Sequence, residues 1–242
     1  MSPTLILIRH AQALHNVERD YSIPDPALSE LGIKQCQTLQ ENLKNLPLAN
    51  EVKLIVVSPM RRTLQTATLC LGWLIERGVP VMPDAGWQES SDSPCDTGSN
   101  LSTLSAEFNT LDFSAVDSVY PNKTTPESNP YLFTKIAVLA RGQACLRALY
   151  NRPEKVIAVV SHSAFLRCAV SGTRYANADY RIFDFEEIGR ETDGQPAKFS
   201  LKEWAETEAR GGGMGRSERG RAQIKEQDFP RVREEIVHEM PE

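Results

Sequence analysis

The sequence predicts an α/β fold of three layers, in which helices cover both faces of a central, mostly parallel sheet. Short apolar runs alternate with longer helical stretches along most of the chain, which is the pattern of repeated βα units. Almost every position within these runs is apolar, which indicates strands that are buried on both faces. The chain has 242 residues, of which 40% are hydrophobic, and it is therefore long enough to fill one such core.

Four apolar runs predict the first four strands, and two later runs predict edge strands. The first four strands are expected at residues 5–8, 54–57, 79–82 and 156–160. The edge strands are expected at residues 181–185 and 198–201. The first and fourth strands each lead into a histidine, and ligands of α/β sheets bind beyond the carboxyl ends of the strands.

Three helices are predicted between these strands. Ser29 is a side chain that can cap a helix running to about residue 45. Pro59 is suited to the first turn of the next helix, which carries residues 63–76. The third helix is expected at residues 134–150, where it follows a long polar stretch.

Composition divides the chain into a domain of residues 1–204 and a tail of residues 205–242. Residues 86–133 are rich in Ser, Asp, Asn, Pro and Thr and show weak periodicity, which predicts an insertion over the site. The tail opens with a glycine triplet at 211–213 and continues with interleaved Arg and Glu. Such a composition favours a mobile or loosely docked segment.

Charge and composition argue against several classes of protein. The net charge of −5 disfavours a nucleic-acid binder, which usually carries a basic patch. The short apolar start predicts neither a signal peptide nor a membrane span. The five cysteines are odd in number and lack metal-binding spacing, which predicts no zinc site, no disulfide framework and a reduced, cytoplasmic location. We therefore expect no cofactor, no membrane partner and no nucleic-acid partner.

Arg9 and His10 follow the first strand and predict phosphoryl chemistry. A guanidinium presents a rigid fork of donors that matches phosphate oxygens, and a neutral imidazole can attack phosphorus. His162 follows the fourth strand in the same way. Two of only four histidines thus meet at one sheet edge, which favours a shared cleft over two unrelated structural histidines. His15 and His238 are expected to be ordinary surface residues.

Two further segments bring charged groups to the same edge. Arg61 and Arg62 lie in the first turn of the helix after the second strand, where an anion favours the helix N-terminus, so one of them is expected to face a ligand. Glu89 follows the third strand and is a candidate general acid for a leaving alcohol. A glutamate after a strand is ordinarily a surface residue. The catalytic interpretation is favoured because three other segments are predicted to bring charged or nucleophilic groups to the same sheet edge.

Together these segments resemble the histidine phosphatase superfamily, in its phosphoglycerate-mutase-like branch. The resemblance covers roughly residues 4–186 and is carried by residues 9–16, 58–67, 88–89 and 159–167. Residues 94–99 and 177–181 are also similar to fungal phosphoglycerate-mutase-like proteins. The resemblance leaves the tail unexplained.

The resemblance implies a role for each site residue. His10 becomes the phosphohistidine, while Arg9, Arg62 and His162 cradle the phosphoryl oxygens. Arg62 matches the motif better than Arg61. Asn16 orients the pocket, and Glu89 protonates the leaving oxygen and then helps to activate water. Ser163 stands where glycine is common, which adds a hydroxyl group to the phosphate-binding part of the pocket.

Departures from the family pattern narrow the activity. Mutases usually have Ser or Thr where this chain has Ala13, and their following Arg, Gly and Trp signature is missing from residues 17–23. A mutase is therefore disfavoured. The acid phosphatase and phytase branch carries an Arg-rich motif after its histidine and a later His-Asp pair, and this chain has neither.

We expect a metal-independent phosphomonoesterase that hydrolyses a small phosphorylated metabolite. The main alternative is a hydrolase or lyase of specialised metabolism that uses the same His/Arg pocket on a non-phosphorylated anion. A third possibility is a non-catalytic phosphate-sensing or scaffold protein that binds partners through the tail. Substrate panels separate the first two, and deletion of the tail separates the third.

Overall fold

The computed structural model describes residues 2–186 and 198–229 and is built on one six-stranded sheet. The strands are β1 (Thr4–Arg9), β2 (Val52–Val57), β3 (Val81–Pro83), β4 (Val156–Ser161), β5 (Tyr180–Phe185) and β6 (Leu201–Glu203). Their order across the sheet is β3-β2-β4-β1-β5-β6. Strands β1 to β4 run parallel to one another, and β5 is antiparallel to both β1 and β6.

The predicted α/β fold with a mostly parallel sheet is confirmed, and one strand position was wrong. Strand β5 was expected at an edge but lies inside the sheet, because it pairs with β1 on one side and with β6 on the other. The edges are β3 and β6, each three residues long. Short edge strands of this kind offer few free backbone groups to another chain.

Helices cover both faces of the sheet. They are α1 (Leu14–Glu18), α2 (Glu30–Lys44), α3 (Arg61–Glu76), α4 (Leu101–Glu107), α5 (Lys135–Tyr150), α6 (Ser163–Phe165) and α7 (Ala205–Arg210). Helix α6 continues directly into a π-helical turn, Leu166–Ser171. Ser29 caps α2 by accepting the Gly32 amide at 3.1 Å, as predicted, and Thr134 caps α5 in the same way.

Alternate residues of each central strand point into two separate cores. In β1, Ile6 and Ile8 pack into the core that α2 and α3 cover. Leu5 and Leu7 pack into the other core, which α5 and the α6 turn cover. Strands buried on both faces need apolar residues at nearly every position, which explains the continuous apolar runs in the sequence.

The segment of residues 86–133 contains α4 and several short 3-10 turns. Its apolar side chains extend the core that α2 and α3 cover; the buried ones are Leu104, Phe113, Val116, Tyr120 and Tyr131. Three aromatic side chains of this segment, Trp87, Tyr120 and Tyr131, are buried at 0%, 4% and 6% exposure. They serve packing rather than the cleft wall.

Residues 205–229 pack against the domain, whereas the composition had favoured a mobile or loosely docked tail. Asp179, fully buried just before β5, accepts the backbone amides of Met214 and Arg216 and the hydroxyl of Ser217. Gly212 approaches the same carboxylate with a φ of +89°, a conformation that favours glycine. Main-chain donors make this contact, so the polar composition gave no sign of it.

The described residues contain no helix that is long and apolar enough to cross a membrane. All five cysteines are free, and all five are buried. Residues 187–197 and 230–242 lie outside the described residues, and they include His238 and most of the charged end of the tail.

Candidate active site

The carboxyl ends of β1 and β4, the start of α3 and the segment after β3 meet around one cleft of about 320 Å³. Parallel strands place these ends at the same edge of the sheet, so distant parts of the sequence contribute to one wall. The lining residues are Arg9, His10, His15, Asn16, Tyr21, Arg62, Glu89, Cys95, Asp96, Ser163, Ala164, Arg167 and Arg174.

The ring of His10 is held in one orientation by the main chain. Its Nδ1 lies 2.7 Å from the carbonyl oxygen of Ala11. A carbonyl oxygen only accepts hydrogen bonds, so the proton of the neutral ring is assigned to Nδ1. The Nε2 lone pair is thereby directed toward Arg62, whose Nε lies 3.3 Å away.

The surroundings of His10 keep its ring neutral. The side chain is 2% exposed, and burial is the largest cause that lowers its pKa well below the usual value. The positive charges of Arg62 and Arg9 lower the pKa further. A neutral imidazole retains the lone pair that a nucleophile needs.

Two arginines reach the cleft from opposite sides. Arg9 donates from Nη1 to the carbonyl of Tyr175 at 2.8 Å, and burial lowers its pKa to about 10, so it stays charged near neutral pH. Arg62 is 1% exposed and donates from Nη1 to the carbonyl of Cys95 at 2.6 Å. Arg61 instead turns outward and pairs with Glu107 at 2.8 Å. Of the two helix arginines, Arg62 is thus the one that faces the cleft.

Asp96 is a carboxylate of the cleft that the sequence did not single out by itself. Its Oδ1 accepts from Arg62 Nη2 at 3.1 Å, and its Oδ2 accepts from the hydroxyl of Ser91 at 2.7 Å. The 3-10 turn of residues 94–96 folds back over the start of α3 and makes this pair possible. The only sequence signal was the position of Asp96 in the segment similar to fungal relatives.

Glu89 lies at the N-terminus of α6. Its two carboxyl oxygens accept the backbone amides of Ser90 and Phe165 at 2.9 Å and that of Ala164 at 3.1 Å. Burial, and then the negative charge of Asp96, raise the pKa of Glu89, while the amides and Arg62 oppose the shift. A raised pKa favours the protonated form that a general acid requires.

His162 packs against His10 from behind, with 5.2 Å between the ring centroids. It is fully buried and does not line the cleft. Its Nε2 lies 2.8 Å from the hydroxyl of Ser58, and its Nδ1 has no hydrogen-bond partner among the described residues.

Asn16, Ser163 and His15 complete the inner wall. Asn16 accepts the Ala13 amide at 3.1 Å and lies 2.8 Å from His15 Nε2, which fixes the turn after β1. Ser163 begins α6 and lines the cleft. The surface expectation for His15 was wrong: it is 5% exposed, and its pKa is lowered to about 4, mainly by burial and then by Arg62. The short helix α1 turns this ring back toward the cleft.

Lys123 lies behind the cleft and was also missed. Its Nζ donates to three carbonyl oxygens of the segment that carries Glu89 and Asp96, namely those of Glu89, Ser91 and Asp96. The side chain is 3% exposed, and burial lowers its pKa to about 7. A lysine in a polar, weakly periodic stretch is expected at the surface, so nothing in the sequence indicated that Lys123 would be buried and bind these carbonyl oxygens.

The cleft carries its positive charge on four arginines: Arg9, Arg62, Arg167 and Arg174. Among the described residues, no three His, Cys, Asp or Glu side chains are grouped so that they could hold a metal ion. The guanidinium groups of these arginines are donors that this cleft offers to an anion.

Comparison with known proteins identifies the family of this chain. The family model of the histidine phosphatase superfamily, branch 1, matches residues 5–187. A phosphoglycerate mutase-like protein of Arabidopsis thaliana is 31% identical, over 69% of this chain and 73% of the relative. A protein of Schizosaccharomyces pombe, named a "probable phosphatase", is 32% identical over 68% of this chain and 76% of its own length.

Solved structures share the fold at lower identity. The ecdysone phosphate phosphatase of Bombix mori superposes with a TM-score of 0.53 at 15% identity, over 75% of this chain and 89% of that one. A phosphoserine phosphatase of Entamoeba histolytica gives a TM-score of 0.50 at 20% identity, over 76% of this chain and 91% of that one. With the family model matching most of its length, the chain belongs to the histidine phosphatase superfamily, branch 1.

Proposed function

We propose that this protein is a metal-independent phosphomonoesterase that hydrolyses a small phosphorylated metabolite through a phosphohistidine at His10. The observation that carries the proposal is the contact of 2.7 Å between His10 Nδ1 and the carbonyl of Ala11, which leaves Nε2 unprotonated at the cleft, where it accepts from Arg62 Nε. The phosphatase class is supported by the family match and by the phosphatase name of the yeast relative.

The first half-reaction follows from the placement of His10 and Glu89. The Nε2 lone pair of His10 attacks phosphorus, the P–O ester bond breaks, and the leaving oxygen takes the proton of Glu89. The other ring proton stays on Nδ1, hydrogen-bonded to the Ala11 carbonyl, so the ring carries the phosphoryl group on Nε2. Arg9 and Arg62, which line the cleft, stabilise the charge on the equatorial oxygens, which is where phosphoryl transfer needs positive charge most.

The second half-reaction returns the site to its starting state. A water molecule attacks phosphorus and gives a proton to the Glu89 carboxylate while the P–N bond breaks. Inorganic phosphate leaves, and His10 is again neutral with a free Nε2 lone pair. Glu89 thus acts as an acid in one step and as a base in the next.

The test measures phosphate release from a panel of phosphomonoesters, with EDTA and without added metal. We expect His10→Ala to lower the rate about a thousandfold or more on every ester, because the nucleophile is lost. We expect Glu89→Gln to slow alkyl phosphates about a hundredfold and 4-nitrophenyl phosphate far less, because a good leaving group needs little protonation.

Glu107→Gln is the matched control for Glu89→Gln, because Glu107 pairs with Arg61 at the surface away from the cleft. It is expected to leave all rates within about twofold. Equal losses in Glu89→Gln on both kinds of ester would contradict the acid role of Glu89. No release from any ester by the unaltered protein would contradict the phosphatase proposal and favour a repurposed pocket that acts on a non-phosphorylated anion.

A further inference from the structure

We infer that the substrate carries a second anionic group, a phosphate or a carboxylate, which Arg167 and Arg174 bind at the outer part of the cleft. The inference rests on the proposed function, because it takes Arg9 and Arg62 as the residues that hold the transferred phosphoryl group. The inference adds the class of substrate, which is a bisphosphate or a phosphorylated carboxylic acid. A phosphate ester whose alcohol part is uncharged does not belong to this class.

The four arginines of the cleft form two pairs that differ in their position relative to His10. Arg9 and Arg62 lie beside His10 and lower its pKa, so they belong to the reacting phosphoryl group. Arg167 lies in the π-helical turn after α6, and Arg174 lies in the loop that leads to β5. Both line the same cleft, with side-chain exposures of 14% and 53%. This outer pair is not used by the chemistry at His10.

The competing explanation is that the outer pair only anchors the C-terminal segment. Arg167 donates from Nη1 and Nη2 to the two oxygens of Asp228 at 3.0 and 2.9 Å. Arg174 Nε lies 3.1 Å from Glu218, but that glutamate is 73% exposed. Exposed ion pairs contribute little to stability, so anchoring gives no reason for Arg174 to line the cleft.

These contacts leave both arginines able to bind a ligand. A guanidinium has five N–H donors, and the contacts to Asp228 and Glu218 use two on Arg167 and one on Arg174. The pairing with Asp228 also fixes the Arg167 fork in one orientation, as recognition of a second anion requires. Both arginines already bind carboxylates of this chain, which is the same chemistry as the proposed group.

The test compares two pairs of esters that differ only in the second anion. One pair is fructose 6-phosphate and fructose 1,6-bisphosphate, which tests a second phosphate. The other is glycerol 3-phosphate and 3-phosphoglycerate, which tests a carboxylate. In at least one pair we expect kcat/KM to favour the member with the second anion about tenfold, and the double variant Arg167→Ala with Arg174→Ala to bring this ratio close to one.

The control is the double variant Asp228→Asn with Glu218→Gln, which removes the tail partners and keeps both arginines. It is expected to retain the preference. Ratios near one in both pairs for the unaltered protein would overturn the inference, as would an unchanged ratio in the arginine variant or a lost ratio in the tail variant. If the protein hydrolyses both esters of each pair with equal kcat/KM, only the second-anion site is overturned. If it hydrolyses no ester, both the second-anion site and the phosphatase proposal are overturned.

Discussion

At the scale of single residues, the chemistry depends on how the neighbours of Glu89 set its protonation. The sequence identified Glu89 from its place after a strand, but it did not identify Asp96, whose charge raises the pKa of Glu89. The pairing of Asp96 with Arg62 depends on a turn that brings residues 94–96 back over α3. Local order in the sequence predicts which residues reach the sheet edge but not which of them face one another.

This arrangement predicts a shift in the pH profile of Asp96→Asn. In the proposed mechanism Glu89 must be protonated, so kcat/KM falls as the pH rises through its pKa. Removing the charge of Asp96 lowers that pKa, and the alkaline limb therefore moves to lower pH. The profile is measured with an alkyl phosphate, which needs the proton most. An alkaline limb that stays in place or moves upward would contradict the coupling of the two carboxylates.

The acid limb gives the matching control for the same variant. His10 must be neutral, and its pKa lies well below the usual value because of burial and the charges of Arg62 and Arg9. Activity is therefore expected to persist as the pH falls below the usual titration range of histidine. Burial, Arg62 and Arg9 are the largest causes of the shift at His10, so the acid limb should move less than the alkaline limb.

At the scale of elements, the segment from Glu89 to Asp96 contains no strand or long helix, yet it carries two charged groups of the cleft. Lys123 holds this segment in place by donating to three of its carbonyl oxygens. Arg141 of α5 supports it from the other side, donating to the carbonyl of Gln88 at 2.7 Å. Two buried cations thus replace the ladder of hydrogen bonds that a strand would have supplied.

We expect Lys123→Met to weaken both folding and catalysis. Three buried carbonyl oxygens lose a charged donor, which should lower the free energy of unfolding by about 2–4 kcal/mol. Because the segment then shifts Glu89, kcat on alkyl phosphates should fall more than kcat on 4-nitrophenyl phosphate. Urea unfolding and the two rates provide the measurement. Lys135→Met, at a half-exposed lysine, is the control. Equal effects of the two variants would contradict the inference that Lys123 holds the segment from Glu89 to Asp96 in place.

At the scale of the whole molecule, the segment of residues 205–229 is joined to the domain at Asp179. The backbone carbonyl of Asp179 accepts the amide of Arg9 at 3.1 Å, while its carboxylate receives donors from the segment. One residue therefore connects the end of β1, where the cleft begins, with the C-terminal part of the chain. The docked segment is part of the support of the cleft.

Asp179→Ala is expected to loosen this segment and to destabilise the domain. Several buried donors lose their acceptor together, which should lower the free energy of unfolding by about 3 kcal/mol. Limited proteolysis should then cleave within residues 205–229 sooner than in the unaltered protein. Asp112→Ala, at an exposed aspartate, should leave both measurements nearly unchanged. Unaltered stability in Asp179→Ala would show that the segment is held by other contacts.

Much of the fold could be predicted because the central strands are continuous apolar runs in the sequence. The runs that became β1, β2 and β4 are apolar throughout, and the ends of β1 and β4 placed Arg9, His10 and His162 in one region. The interior position of β5 was missed because its pairing with β6 depends on residues far along the chain. The docking of the tail was missed because backbone amides around Gly212 make the contact, and composition says nothing about them.

The central position of β1 has a consequence for how this chain folds. β1 leaves the ribosome well before both of its sheet neighbours, β4 and β5, which lie more than 140 residues later in the sequence. Its apolar residues must stay unpaired during that interval, and contacts between distant segments form slowly. We therefore expect nascent chains that end before β4 to aggregate or to bind chaperones, since the apolar residues of β1 have no partner strand.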